Sequence, residues 1–67
     1  MSIVKVIEVI ASSEKSFDDA VQQAVKEASK TVSNIKSVYV KEMHANVDDN
    51  KVTSFAINAK VSFTITN

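Results

Sequence analysis

The chain has 67 residues, with eight acidic and eight basic side chains, one histidine and no cysteine, glycine, proline or tryptophan. A single core is marginal at this length, and short chains are usually completed by disulfides, a metal, idealised packing or association. The missing cysteines remove disulfides and thiolate metal sites together, so self-association becomes the leading means of completion. Balanced charge argues against nucleic acid, whose binders carry a basic excess, and no apolar run is long enough to span a bilayer.

One domain, residues 1–67, is the sensible count. The opening MSIVKVIEVI carries a lysine and no small-residue cleavage site, so it reads as a strand and not as a signal peptide. Together with the cysteine count this leads us to expect a cytoplasmic protein. The first strand is predicted over Ile3 to Ala11, interrupted by Lys5 and Glu8. Ser12 to Lys15 is a polar loop.

Ser16 is predicted to cap a helix by accepting from the amide of Asp19, with Asp18 and Asp19 placed where the helix dipole favours negative charge. Phe17, Ala20, Val21, Ala24, Ala28 and Val32 then recur at steps of three and four and line one face. The small alanines allow close approach to a sheet. Asn34 is the expected left-handed terminator, giving a helix of roughly sixteen residues.

Two long strands follow, Ile35 to Val47 and Lys51 to Thr66. A two-residue turn at Asp49-Asn50 joins them without glycine, because Asp and Asn tolerate positive φ. That turn pairs Val47 with Val52, Tyr39 with Lys60 and Val38 with Val61. Phe55, Ile57, Ala59, Val61 and Phe63 then share an apolar face with Val38 and Val40. Ser37, Tyr39, Lys41 and Met43 share the polar face with Lys60, Asn58 and Ala56. Such a helix spans about 24 Å and such a hairpin arm about 40 Å. The surface near Phe55 and Val52 is therefore left for a neighbouring subunit to cover.

Strand, capped helix and long hairpin here carry VKVIEVIASS, KSFDDAVQQAVKEASKTVSNIKS and DDNKVTSFAINAKVSF. These segments resemble the dodecin family over nearly the whole chain. The resemblance implies an α+β fold of order β-α-β-β, with a three-stranded antiparallel sheet partly wrapped around one helix. It also implies a hollow homododecamer built from trimers that binds flavins such as riboflavin or FMN without turning them over. In the family a tryptophan of the second strand stacks on the flavin and a glutamine of the third strand hydrogen-bonds its edge. Those positions fall on Ser37 and Ala56, which offer neither a π face nor a side-chain hydrogen bond.

Tyr39, Lys41, Asn58 and Lys60 are the remaining ligand-face candidates: Tyr39 as a replacement ring, the lysines as phosphate partners. The plainer readings are a subunit contact for Tyr39 and solvated or inter-subunit ion pairs for the lysines. Glu42 with His44, and Asp48 with Asp49, are the metal candidates. The plainer readings there are an interface pair and turn chemistry. Catalysis finds no support, since no nucleophile has a His-Asp partner placed by sequence and no Gly-rich phosphate loop exists. The expected function is thus a non-catalytic, small-ligand-binding homo-oligomer. The alternatives are a structural oligomer without a ligand and a metal-dependent assembly.

Overall fold

The computed structural model describes residues 2–66. Strand β1 (Ser2–Ser13) leads into helix α1 (Phe17–Ala28), followed by strands β2 (Ile35–Asp48) and β3 (Lys51–Thr66). The sheet order is β1-β3-β2 with both pairings antiparallel, so the longest strand is the central one. This is the predicted β-α-β-β arrangement.

Helix α1 starts as its sequence requires. Ser16 is extended, and its hydroxyl accepts from the Asp19 amide at 2.9 Å. The buried hydroxyl of Ser13 donates to the Asp19 carboxylate and accepts from the Lys15 amide, which locks the β1–α1 connection. The helix ends earlier than expected, at Ala28 after 12 residues. Its sequence explains this: Ser29 and Thr31 hydroxyls donate to the carbonyls of Lys26 and Ala28, drawing hydrogen-bonding capacity away from a further helical turn. Asn34, at φ 62°, lies beyond that unwound stretch and leads into β2 instead of ending the helix. Its carbonyl accepts from the Thr64 amide at 3.1 Å.

At the hairpin, Asp49 (φ 50°) and Asn50 (φ 62°) are both left-handed, as a type I′ turn demands. The pairs Val47–Val52, Tyr39–Lys60 and Val38–Val61 form as predicted. Between them the ladder is not straight. Its register shifts at Lys36, at Lys41 and again beside Thr53. Each shift is a bulge, which inserts one unpaired residue and reverses the alternation of faces. The Lys41 bulge turns Met43 and Ala45 toward the helix side, opposite Ile57 and Phe55, and sends Glu42 and His44 to the outer face. The placement of Lys41 and Met43 beside Tyr39 is thereby corrected: Lys41 is the unpaired residue and Met43 lies on the apolar face. Alternation continued from Ala45 brings Val47, and with it Val52, to that same side.

The core lies where α1 crosses the sheet. Ala20 and Ala24 are fully buried against Ile57 and Ala59, with Val9, Val21, Val38 and Val40 packed around them. The alanines bring the helix close, and Phe17 meets Phe55 edge to face with centroids 5.0 Å apart. The helix is about 18 Å long, whereas the molecule extends 52 Å along its long axis. A compact chain of this size has a radius of gyration of about 11 Å; here it is 13.7 Å. The accessible surface of 4824 Å² likewise exceeds the roughly 4,200 Å² of a typical folded monomer of this mass. Met43, Val47 and Val52 are more than half exposed on the arm beyond the helix, which is where the length argument places uncovered apolar surface.

Replacing Ser16 by alanine removes the cap and is expected to lower unfolding free energy by about 1 kcal/mol. Ser16→Asp keeps an acceptor and stays near wild type. Urea denaturation at one fixed chain concentration checks both, and equal stability of the Ala and Asp variants would refute the role of the cap.

Candidate functional site

The outer face of the sheet, away from α1, gathers the sequence-predicted site residues in rows that cross the three strands. Val6, Ser62 and Ser37 form one row; Glu8, Lys60 and Tyr39 the next. Ile10, Asn58 and Glu42 follow, then Ser12, Ala56 and His44. Central β3 supplies the middle of every row, so its outer side chains are shielded by two neighbours. Ala56 is 7% exposed although no helix covers it.

Ser37 and Ala56 therefore share a face, as the straight-hairpin reading required. They are nevertheless three rows apart, about 20 Å along the strands. A single planar ligand cannot touch both on one chain. Tyr39, Lys60 and Asn58 lie in adjacent rows and form the compact polar group of the face. Tyr39 is 66% exposed and Lys60 is half-buried between Glu8 and Tyr39. Among the described residues the ion pair that forms is Lys30–Glu27 at the C-terminal end of the helix, at 2.9 Å, not one with Lys60. Asn58 is half-buried, and its Oδ1 is buried without a hydrogen-bond donor. A carbonyl oxygen in that state calls for a donor from outside the chain or from a rearranged neighbour.

Lys41 stands at the bulge and is separated from this group. Glu42 and His44 are exposed, in successive rows. Asp48 pairs with Lys51 and Asp49 occupies the turn itself. Among the described residues no three His, Asp or Glu side chains converge as a metal site, so neither metal candidate has a donor set within one chain.

Sequence reasoning overlooked the outer side of β1. Val4, Val6 and Ile10 point away from the helix and are 64%, 52% and 79% exposed. The signal was present: β1 is apolar at both parities, as a strand covered on both faces is.

Comparison with known proteins agrees with this geometry. A family model described as Dodecin matches residues 3–66. Among solved structures, the dodecin of Streptomyces davaonensis is 21% identical and superposes with a TM-score of 0.90, covering 98% of this chain and 97% of that one. A Thermus thermophilus protein is 24% identical with a TM-score of 0.91, over 100% and 98% of the two chains. These two establish the fold. A calcium dodecin of Mycobacterium tuberculosis, a calcium-chelating antigen with a calcium-binding site, is 32% identical with a TM-score of 0.79, over 96% and 91%. No curated protein matches. With the family model running over nearly the entire length, the chain belongs to the dodecin family.

Proposed function

We propose that the chain assembles into a closed, hollow homododecamer built from trimers and holds a small planar ligand where copies meet, without chemical turnover. The observation that carries this reading is the uncovered apolar surface. It lies on the arm at Met43, Val47 and Val52, and on the outer side of β1 at Val4, Val6 and Ile10. A second copy is the simplest cover for both, because contiguous apolar surface on soluble chains marks interaction sites.

The ligand face follows from the rows. Flavin is the family's ligand, but Ser37 cannot stack and Ala56 cannot hydrogen-bond. Tyr39 supplies the nearest aromatic ring, Lys60 a cation without an ion-pair partner among the described residues, and Asn58 an acceptor without a donor among them. The set suits a planar heterocycle with N–H donors and an anionic or polar tail. Ser37 and Ala56 lie too far apart on one chain to clamp one ring, which supports a site completed by a neighbour. A purely structural oligomer is the second reading, favoured by the absence of side-chain ligand contacts at those two positions. The calcium relative raises metal for this chain too, but His44 and Glu42 on one side and Asp48 and Asp49 at the turn do not converge. Metal-dependent assembly is therefore the weakest of the three, and unchanged mass in chelator is its expected outcome.

Native mass spectrometry of freshly purified protein is expected to give the mass of twelve 7.3 kDa chains; a monomer or dimer at micromolar concentration overturns the assembly. Riboflavin fluorescence titration tests the ligand face. The double variant Ser37→Trp with Ala56→Gln is expected to gain about 1–3 kcal/mol from stacking and one hydrogen bond, roughly 5- to 150-fold in affinity. Equal riboflavin affinity in wild type and variant would show that these positions do not face the ligand.

A further inference from the structure

The two ends of the molecule are complementary. At one end, the arm beyond the helix presents Met43, Val47 and Val52 on its helix side, more than half exposed. At the other end, an open groove of about 360 Å³ runs between the α1–β2 connection and the end of β3. Its walls are polar, from Thr31, Ser33, Asn34 and Thr64, and it also carries the apolar side chains of Val32, Phe63 and Ile65. That volume equals about a dozen waters at liquid density, enough for two or three aliphatic side chains. Charge differs in the same sense. Asp48 and Asp49 crown the arm, offset by Lys51 alone at the turn. Lys5 lies directly across the ladder from Phe63, and Lys36 is the bulged residue between the partners of Phe63 and Ser62. Neither lysine has an acidic partner within ion-pair distance among the described residues, where the pair that forms is Lys30–Glu27.

The chain cannot satisfy itself. Val52 and Ile65 stand on the same central strand, thirteen residues and about 44 Å apart. We propose that the apolar side of the arm docks into the Val32–Phe63–Ile65 groove of a second copy, with Asp48 and Asp49 meeting that copy's Lys5 and Lys36. The inference rests on the homo-oligomeric reading and goes beyond it by naming the contact and its symmetry. Arm and groove lie at opposite ends of one chain, so the contact closes either head to tail into a ring or reciprocally, each arm in the other copy's groove, across a two-fold axis. In an assembly built from trimers it is placed on the three-fold axis, and crosslinking distinguishes the two. The rim charges contribute mainly to orientation and partner choice, and the buried aliphatic side chains to affinity.

The absence of cysteine permits a clean test. The double variant Val47→Cys with Ile65→Cys, oxidised in the assembled state and analysed by non-reducing electrophoresis, is expected to yield covalent trimers or a ladder of multimers. Each single cysteine variant is expected to stay at chain mass. A Val47→Cys single variant that crosslinks to itself indicates a tip-to-tip contact and overturns the proposal. An intact oligomer in which the double variant does not crosslink, or crosslinks no further than dimers, overturns it as well, while leaving the assembly reading standing. A wild-type monomer overturns both. Charge reversal gives an independent measure. Asp48→Lys with Asp49→Lys is expected to weaken assembly at least tenfold in subunit concentration at low salt. Combining Asp48→Lys, Asp49→Lys, Lys5→Glu and Lys36→Glu in one chain, which reverses both sides of every contact, is expected to restore it. Failure of the combined variant to recover assembly, or no loss in the first variant, overturns the charge pairing.

Discussion

The organisation of this protein turns on a mismatch of lengths within one apolar surface. A 12-residue helix rises about 18 Å, while the 16-residue strand beneath it runs about three times as far. Burial stabilises by roughly 25 cal/mol per Å² of apolar surface removed from water. Each large side chain left outside the shadow of the helix therefore forfeits one or two kcal/mol, in a chain whose whole stability is of the order of 3–10 kcal/mol. Met43, Val47 and Val52 are retained on the arm in spite of that loss. A fold that keeps them exposed as a monomer gains nothing from them, whereas one that buries them against copies recovers the energy at the moment of association.

The bulges are what keep that surface coherent. In β2, past the Lys36 bulge, the aliphatic residues sit at even numbers at Val38 and Val40 and the apolar ones at odd numbers from Met43 onward. In β3 they sit at odd numbers from Phe55 to Ile65, with Val52 out of phase. A straight ladder would scatter Met43, Ala45 and Val47 to the outer face. One inserted residue at Lys41 and one beside Thr53 restore a single apolar side along the full hairpin. They also strengthen the local twist, which lets the sheet wrap the helix, and they interrupt the β2 edge against unwanted strand pairing.

The sequence made the order of elements, the Ser16 cap, the Asp49-Asn50 turn and three of the cross-strand pairs legible, because each depends on local chemistry. It also made the shortage of cover legible, because that follows from counting residues. The helix terminus was misjudged because apolar spacing continues to Val32, while the Ser29 and Thr31 hydroxyls compete for the last carbonyls. The site was half legible. Tyr39, Lys60 and Asn58 come together because they precede or lie outside the bulged segment. Lys41, Glu42 and His44 do not fall where a straight ladder puts them, because a bulge reverses faces without changing composition. The phase switch between Val40 and Met43 was the available clue.

The distance between Ser37 and Ala56 bears on how ligand and assembly would be coupled in the proposed homo-oligomer. Positions about 20 Å apart on one sheet can contact one small molecule only if different copies supply them. A ligand that contacts both positions would therefore bind the assembled state and not the free chain, and would stabilise the assembly by mass action. Where stacking and edge contacts are strong, the ligand can carry part of the cohesion between copies. With serine and alanine at those positions that contribution would be small, and cohesion in the proposed assembly would fall to protein surface alone. Exposed apolar side chains are present in two separate places: the arm on the helix side and Val4, Val6 and Ile10 on the outer side of β1. A tetrahedral shell needs two independent contacts, one heterologous around three-fold axes and one isologous across two-fold axes. The arm, docked head to tail in a groove about 44 Å away along β3, suits the first in the proposed assembly. The apolar side chains on the outer side of β1 are a separate surface, left for the second.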